Sequence, residues 1–211
     1  MCPTIGTQDT AEQTSNWLYR EGLAELLGQQ KQVANPELPA RSNAFSLGLS
    51  GMTDGALAAT GVCAAVAVAV TPGIDTISNV RIFAGVTPES GGSHAFAAIY
   101  SGIAVPALLG QSVDQTGAAA VGASAAHDFP IPAIAITAAM APNGYIYVSL
   151  SMTGTPASAA VISTPTAIGY QWFTTAPLFL SATHGSAVAG VAPATIASPA
   201  AKAVAPIVVL T

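Results

Sequence analysis

Large and small apolar residues alternate with a period of two from Asn43 onward, and that period belongs to β-strands rather than to helices. Val62, Val66, Val68 and Val70 alternate with Cys63, Ala65, Ala67 and Ala69, and Val80, Ile82, Ala84 and Val86 repeat the pattern. Ala95, Ala97 and Ile99 stand against Phe96, Ala98 and Tyr100. Tyr145 and Tyr147 face one way, Ile146, Val148, Leu150 and Met152 the other, and Ile207-Val208-Val209-Leu210 reads as a closing core strand. Turn signals separate these runs: Thr71-Pro72-Gly73, Pro88-Glu89-Ser90-Gly91-Gly92, Ala141-Pro142-Asn143-Gly144 and Met152-Thr153-Gly154-Thr155-Pro156. Short strands with regular punctuation and no intervening helices predict a mainly β protein, a β-sandwich of jelly-roll type.

Before the strands the period is helical. Asp9 with Glu12 three residues on comes close to a capping box. Tyr19, Leu23 and Leu26, with Trp17, Leu18 and Leu27 beside them, form a stripe at three-to-four spacing. One short N-terminal α-helix ending near Gly28 is expected, with Gly22 arguing against a long coiled coil. Asn35-Pro36-Glu37-Leu38-Pro39 cannot continue a helix, so residues 1–41 form a helical anchor and linker and residues 42–211 the β-sandwich domain. The stripe has two uses, lying on its own domain or docking Trp17 and the leucines into a neighbouring subunit or larger assembly. A helix on a Pro-stiffened linker suits the second.

Charge changes the picture most. Only 15 of 211 side chains are Lys, Arg, Asp or Glu, 7% against roughly 25% for an ordinary soluble domain. Eight of them fall in the first 41 residues, and after Asp128 only Lys202 remains. With 51% hydrophobic residues and a mean hydropathy of +0.55, a disordered solvating chain is excluded. A net charge of -5 without a basic cluster argues against nucleic-acid binding. The 15 residues 56–70 fall short of the roughly 20 needed to span a bilayer as a helix, so no membrane insertion is expected and the run reads as core strand. The start of the chain has no basic n-region and no apolar h-region, so no signal peptide is expected. Cys2 and Cys63 fit no CxxC pattern and read as ordinary thiols, Cys63 buried.

So few charges cannot cover a domain of this size, and much of its surface must be Ala, Ser, Thr, Gly and Val. Alanine alone contributes 44 residues. Short side chains lose little rotamer entropy on burial, which suits broad, permanent contacts between copies of the chain. The segments 116–126 and 181–205, nearly free of charge, read as loops or arms that lie extended on a neighbour or pack on their own sheet.

Candidate chemistry is sparse. His94, His127 and His184 match no HxH or HExxH pattern, and each sits beside turn residues, which predicts solvent-exposed loop histidines. A Ser/His/Asp triad drawn from them and Asp114 or Asp128 would lack the Gly-x-Ser-x-Gly elbow. Asp54, Asp75, Glu89, Asp114 and Asp128 each stand alone in turn-like sequence and read as solvated loop acids, not as a hydrolytic pair. No phosphate loop and no acid-rich calcium loop is present. No catalytic residue, cofactor or metal is expected. Tyr170-Gln171-Trp172-Phe173 places aromatic rings beside amides, which suits glycan contact through Tyr170 and Trp172 as well as it suits an aromatic strand in a core or interface.

The helical tether, the Pro linker, the Ile74–Val86 segment led by Thr71-Pro72-Gly73, the run Ser93-His94-Ala95-Phe96-Ala97-Ala98-Ile99-Tyr100-Ser101, the run Asn143-Gly144-Tyr145-Ile146-Tyr147-Val148-Ser149-Leu150 and the apolar end together resemble the fibre-type and minor tail proteins of tailed bacteriophages, especially those of actinobacterial hosts. The resemblance implies a jelly-roll virion component, often trimeric, attached by its N-terminus to other capsid or tail proteins. It also implies occasional contact with host surface glycans and no transferable catalytic residues. The expected function is therefore a non-enzymatic virion structural protein that assembles as a homotrimer. The alternative is a lectin-like sandwich that presents Tyr170 and Trp172 to host polysaccharide.

Overall fold

Strand β3 (Cys63–Ala69) carries valines toward one side and cysteine and alanines toward the other, and its residues are buried on both sides. The computed structural model, which describes residues 41–42, 52–115, 122–163 and 179–211, makes β3 part of a sheet with a layer on each face. Strands β5 (Ala95–Tyr100) and β8 (Tyr145–Met152) share this property, since every residue of β5 and seven of the eight in β8 are buried. Such strands need no polar face, which is why large apolar alternates with small rather than with charged.

With β6 (Leu108–Gln111), β10 (Ser181–His184) and β11 (Ala200–Ala201) these strands form a six-stranded sheet in the order β11-β10-β3-β8-β5-β6. The described pairings are antiparallel, and the register at the centre sets Val66 against Val148 and Val148 against Ile99. The chain between β6 and β8 leaves this sheet to form β7 (Ala126–Ala135), and the chain between β3 and β5 leaves it to form β4 (Thr76–Phe83). Strands β4 and β7 belong to a second sheet, ordered β1-β13-β4-β7, with β1 (Arg41–Ser42) and β13 (Val208–Leu210). A third, ordered β12-β9-β2, contains β2 (Met52–Ala56), β9 (Ser158–Ser163) and β12 (Val204–Pro206).

The two smaller sheets make one outer layer. Among the described residues they meet at the antiparallel bridge from Ala84 to Ala159 and at the backbone bonds of Ser158 with Gly85 and Thr87. Next to that bridge the chain from β12 to β13 pairs with β9 on one side and with β4 on the other. The final strands thus fill the gap where β4 and β9 diverge. Ile77, Val80, Ile82, Phe129, Val161 and Val208 from this layer pack against Val66, Val68, Ile99, Ile146, Val148 and Leu150 of the six-stranded sheet in one continuous core. Burial of these side chains at ~25 cal/mol per Å² is the main force holding the layers together.

The opposite face of the six-stranded sheet carries Cys63, Ala65, Ala67, Phe96, Ala98, Tyr100 and Tyr147. Among the described residues no further sheet lies there. The loop between β10 and β11 lays Val188, Ala192 and Ile196 on it, and Phe179 stacks on Tyr147 with ring centroids 4.5 Å apart. The same loop shields the free edge of β6: Leu108 N–H donates to the Ala194 carbonyl at 2.9 Å, and Gln111 reaches the loop backbone at Gly190 and Ala192. Residues 181–205 therefore pack on their own sheet. The far edge of the outer layer, β7, is blunted differently, by the exposed prolines Pro130 and Pro132, which offer no N–H to an added strand.

The protein is thus mainly β and sandwich-like, with antiparallel sheets and no helix among the described residues. In particular, none of the described residues forms a helix long and apolar enough to cross a membrane. All of them fall in one compact unit, Ala40–Thr211. The expected N-terminal helix lies outside the described residues. Val86, expected to continue the β4 alternation, instead stands past the strand end and is 72% exposed, because β4 stops where Gly85 N–H turns to the Ser158 carbonyl at 2.9 Å.

Close packing makes a sharp test at Gly102, whose N–H donates to the Met140 carbonyl at 2.7 Å and where a Cβ would overlap the Tyr145 carbonyl oxygen. Backbone cannot step aside cheaply, so Gly102→Ala is expected to cost about 2–3 kcal/mol in urea denaturation. Gly122→Ala, with nothing within 4 Å of the new Cβ, should stay within about 0.5 kcal/mol of the parent.

Candidate functional site

Cross-strand register gathers the polar groups of the second core. His184 lies opposite Cys63, Cys63 opposite Ser151, and Ser149 one pair further along on the same face. Ser149 Oγ and His184 Nε2 are 2.8 Å apart, and the Tyr100 ring meets the imidazole edge-on at 5.5 Å. His184 is 4% exposed and Ser149 1%, while His184 Nδ1 has no hydrogen-bond partner among the described residues. Burial pushes the imidazole down to about 4, so it is neutral at physiological pH. Burial likewise pushes the Cys63 thiol and the Tyr100 hydroxyl up, against weaker opposition at Cys63 from Ser151 and Ser149. A Ser–His pair needs an orienting carboxylate and an approach for substrate to act as a nucleophile. No carboxylate bonds the Nδ1 here, and the loop after β10 covers the pair.

A second cluster forms at one end of the sheet, where the turns before β5 and after β8 meet the segment after β6. Asp114 Oδ1 accepts the Ala95 N–H at 3.0 Å and Oδ2 contacts His94 Nδ1. Thr153 Oγ1 accepts the Ser93 and His94 N–H groups at 2.9 Å each. Gly190 closes over this pair, and a Cβ there would crowd Asp114 Oδ2 and come within 2.9 Å of His94 Nδ1. Glu89, next to the cluster, is 2% exposed. Burial raises its carboxyl above the usual range, and the neighbouring Asp114 raises it further.

On the outer layer Asp128 accepts two hydrogen bonds from Arg81 and one from Asn79, each 2.8 Å long. Arg81 chiefly holds its carboxyl down at about 2. His127 beside it bonds Gln115 at 2.6 Å, and burial lowers its imidazole. Asp54 accepts the Val86 N–H at 2.9 Å. It lines an open hollow of about 250 Å³ with Phe83, Ala84, Gly85, Ser124 and Ala126.

The expectation of exposed loop histidines is corrected at all three positions. His184 is a buried strand residue, His127 lies on β7 and is partly buried, and His94 is half-buried against Asp114. The expectation of solvated loop acids is corrected at all five: Asp54 and Asp128 lie on strands β2 and β7, Asp114 is partly buried and bonded by His94 and the Ala95 N–H, and Asp75 and Glu89 are buried. Asp75 is 6% exposed because its carboxylate caps the turn by accepting the Thr71 N–H at 2.6 Å, and Glu89 is buried beneath its turn. Turn-like sequence marks where the backbone reverses, not which side chains the reversal folds inward. The expectation for Cys63 holds: it is a free, buried thiol.

Among the described residues no group of three His, Cys, Asp or Glu side chains could hold a metal ion. The proposed anchor residues Trp17, Leu18, Tyr19, Leu23, Leu26 and Leu27, and the aromatic pair Tyr170 and Trp172, lie outside the described residues. The chain matches no family model and no curated protein.

The neutral, buried imidazole predicts an acid weakness. A folded-state value near 4 against ~6.5 unfolded gives stability that is complete above about pH 6.5 and is lost as pH falls toward 4. Between pH 7 and 4.5 the parent is expected to lose about 2–3 kcal/mol more than His184→Gln in urea denaturation. Parallel acid slopes would refute the assignment.

Proposed function

We propose that this chain is a non-enzymatic structural component of a tailed-bacteriophage virion, a tail, fibre or head-decoration appendage that assembles as a homotrimer and attaches through residues 1–41. The observation that carries the reading is the disposition of charge on the sandwich. Of its seven Asp, Glu, Lys and Arg residues, Asp75 and Glu89 are buried, Arg81 and Asp128 neutralise each other, and Asp114 is engaged by His94. That leaves Asp54, which receives the Val86 N–H, and the half-buried Lys202, whose ammonium donates to the Ala56 carbonyl at 3.2 Å. The side chains that remain outside include Ile74, Val105, Val113 and Val191, each more than 60% exposed. A surface this neutral loses little desolvation energy when it meets another protein, so it suits permanent assembly.

Strand wiring supports the same reading. The eight strands β2 to β9 pair as β2-β9, β4-β7 and β3-β8-β5-β6, with the Ala84–Ala159 bridge linking β9 to β4. We infer that this is an eight-strand jelly roll, orders 2-9-4-7 and 3-8-5-6 face to face, with β12 and β13 wedged between strands 9 and 4. Jelly rolls recur in viral capsid domains. The resemblance of the sequence to phage fibre and minor tail proteins points to the same class, with host glycan as an occasional partner.

The mass in solution decides. Light scattering on the full chain is expected to give a trimer that persists on dilution, and a chain lacking residues 1–39 should remain trimeric but fail to join particles. A monomer at high concentration would overturn the reading.

A further inference from the structure

The turn at 88–92 and the turn at 153–155 are tied by a reciprocal backbone pair. Ser90 N–H donates to the Thr155 carbonyl at 3.1 Å, and Thr155 N–H to the Ser90 carbonyl at 2.9 Å. Glu89 lies under this pair, 98% buried, and neither carboxylate oxygen has a hydrogen-bond partner. Gly92 locates what the carboxyl faces. A Cβ there would overlap Glu89 Oε1 and come within 2.6 Å of the Thr153 carbonyl oxygen, so the two oxygens converge on one place. Two acceptors that converge without a hydrogen between them repel. A bare carboxylate in such a place has lost water and gained no donor, which disfavours its charged form.

Either a cation or a proton removes that cost. The surroundings favour the proton. Asp114 is the nearby acid, and its two oxygens are already engaged by His94 and the Ala95 N–H. Segment 153–155 offers hydroxyls and backbone, with Thr153 Oγ1 taken by the Ser93 and His94 N–H groups. Nothing here assembles three ligating side chains. The titratable groups around Glu89 are thus Asp114 and His94, which hold each other.

We propose that Glu89 is a proton-operated latch: as the neutral acid its O–H donates to the Thr153 carbonyl and holds the two turns together, and its ionisation releases them. This rests on nothing in the functional reading above. The linkage has a definite sign. An acid whose folded value lies above its unfolded one stabilises the fold below the unfolded value, near pH 4.5. That stability is lost as pH rises through the folded value. The end of the sandwich formed by these turns therefore loosens on the alkaline side, opposite in sense to the acid weakness at His184.

The test is amide hydrogen exchange of Ser90 and Thr155 in the full chain from pH 5 to 9, corrected for intrinsic exchange. Protection in the parent is expected to fall by up to about tenfold for each pH unit between the unfolded value near 4.5 and the folded value, and to level off above it. Glu89→Gln, whose amide donates at every pH, should keep it. Subtracting the variant's profile cancels His94 and Asp114 to first order. Equal loss in both proteins, or no loss in the parent, overturns the latch. A parent-only measurement guards against a variant that fails to fold: infrared spectra should retain one protonated carboxyl band at a pH where the other acids have ionised. Absence of that band overturns the proposal, as does a rise in melting temperature with calcium chloride at pH 7 that a chelator abolishes, which would put a cation where we place the proton.

Discussion

A sheet that must be covered on both faces governs this protein. Strands β3, β5 and β8 have almost no exposed residue, so the chain has to supply two separate layers to them. Among the described residues, one is built from strands and the other from the loop after β10 and the stack of Phe179 on Tyr147. The choice follows from side-chain size. The valine and isoleucine face presents deep ridges that another sheet can interdigitate with, at the usual ~10 Å between sheets. The other face sets alanines beside Phe96, Tyr100 and Tyr147, and among the described residues Val188, Ala192 and Ile196 of an irregular segment pack on it together with Phe179.

Covering both faces also fixes the fate of polar groups. Ser149, Ser151, Cys63 and His184 lie on the alanine face, under the loop, and a polar group in that position must find a partner within the sheet. Ser149 and His184 find each other, and burial keeps the imidazole neutral. At the sheet's end the turns fold Glu89 inward in the same way, with the Thr153 carbonyl nearby in place of a donor. In both places burial moves the titration of the group away from its ordinary value.

The outer layer depends on strands far apart in sequence. Strands β4 and β9 diverge after one bridge, and the chain at 204–210 closes the opening by pairing with each. Antiparallel pairing across such separations is slow to find, because loop closure precedes any reward from contacts. Pro130 and Pro132 on edge strand β7 and the loop over β6 then keep the exposed edges from recruiting other strands while the fold waits to close.

The alternation of Val with Ala and Cys at 62–70 was enough to place strand β3 and to bury Cys63, and the apolar end was enough to announce β13. Those features are local: a period of two records which side chains share a face, and scarcity of charge records that little of the chain was built for water. The same text misplaced His184, which sits beside a glycine and reads as an exposed loop residue. Only the pairing of β10 with β3 carries it under the cover, opposite Cys63 and within reach of Ser149. Glu89 was hidden for the same reason, since a turn signal does not say whether its acid points to solvent or beneath the neighbouring turn. Periodicity is set by adjacent residues and can be read along the chain. Burial of one polar side chain is set by what arrives from a hundred residues away, and only the closed tertiary structure decides it.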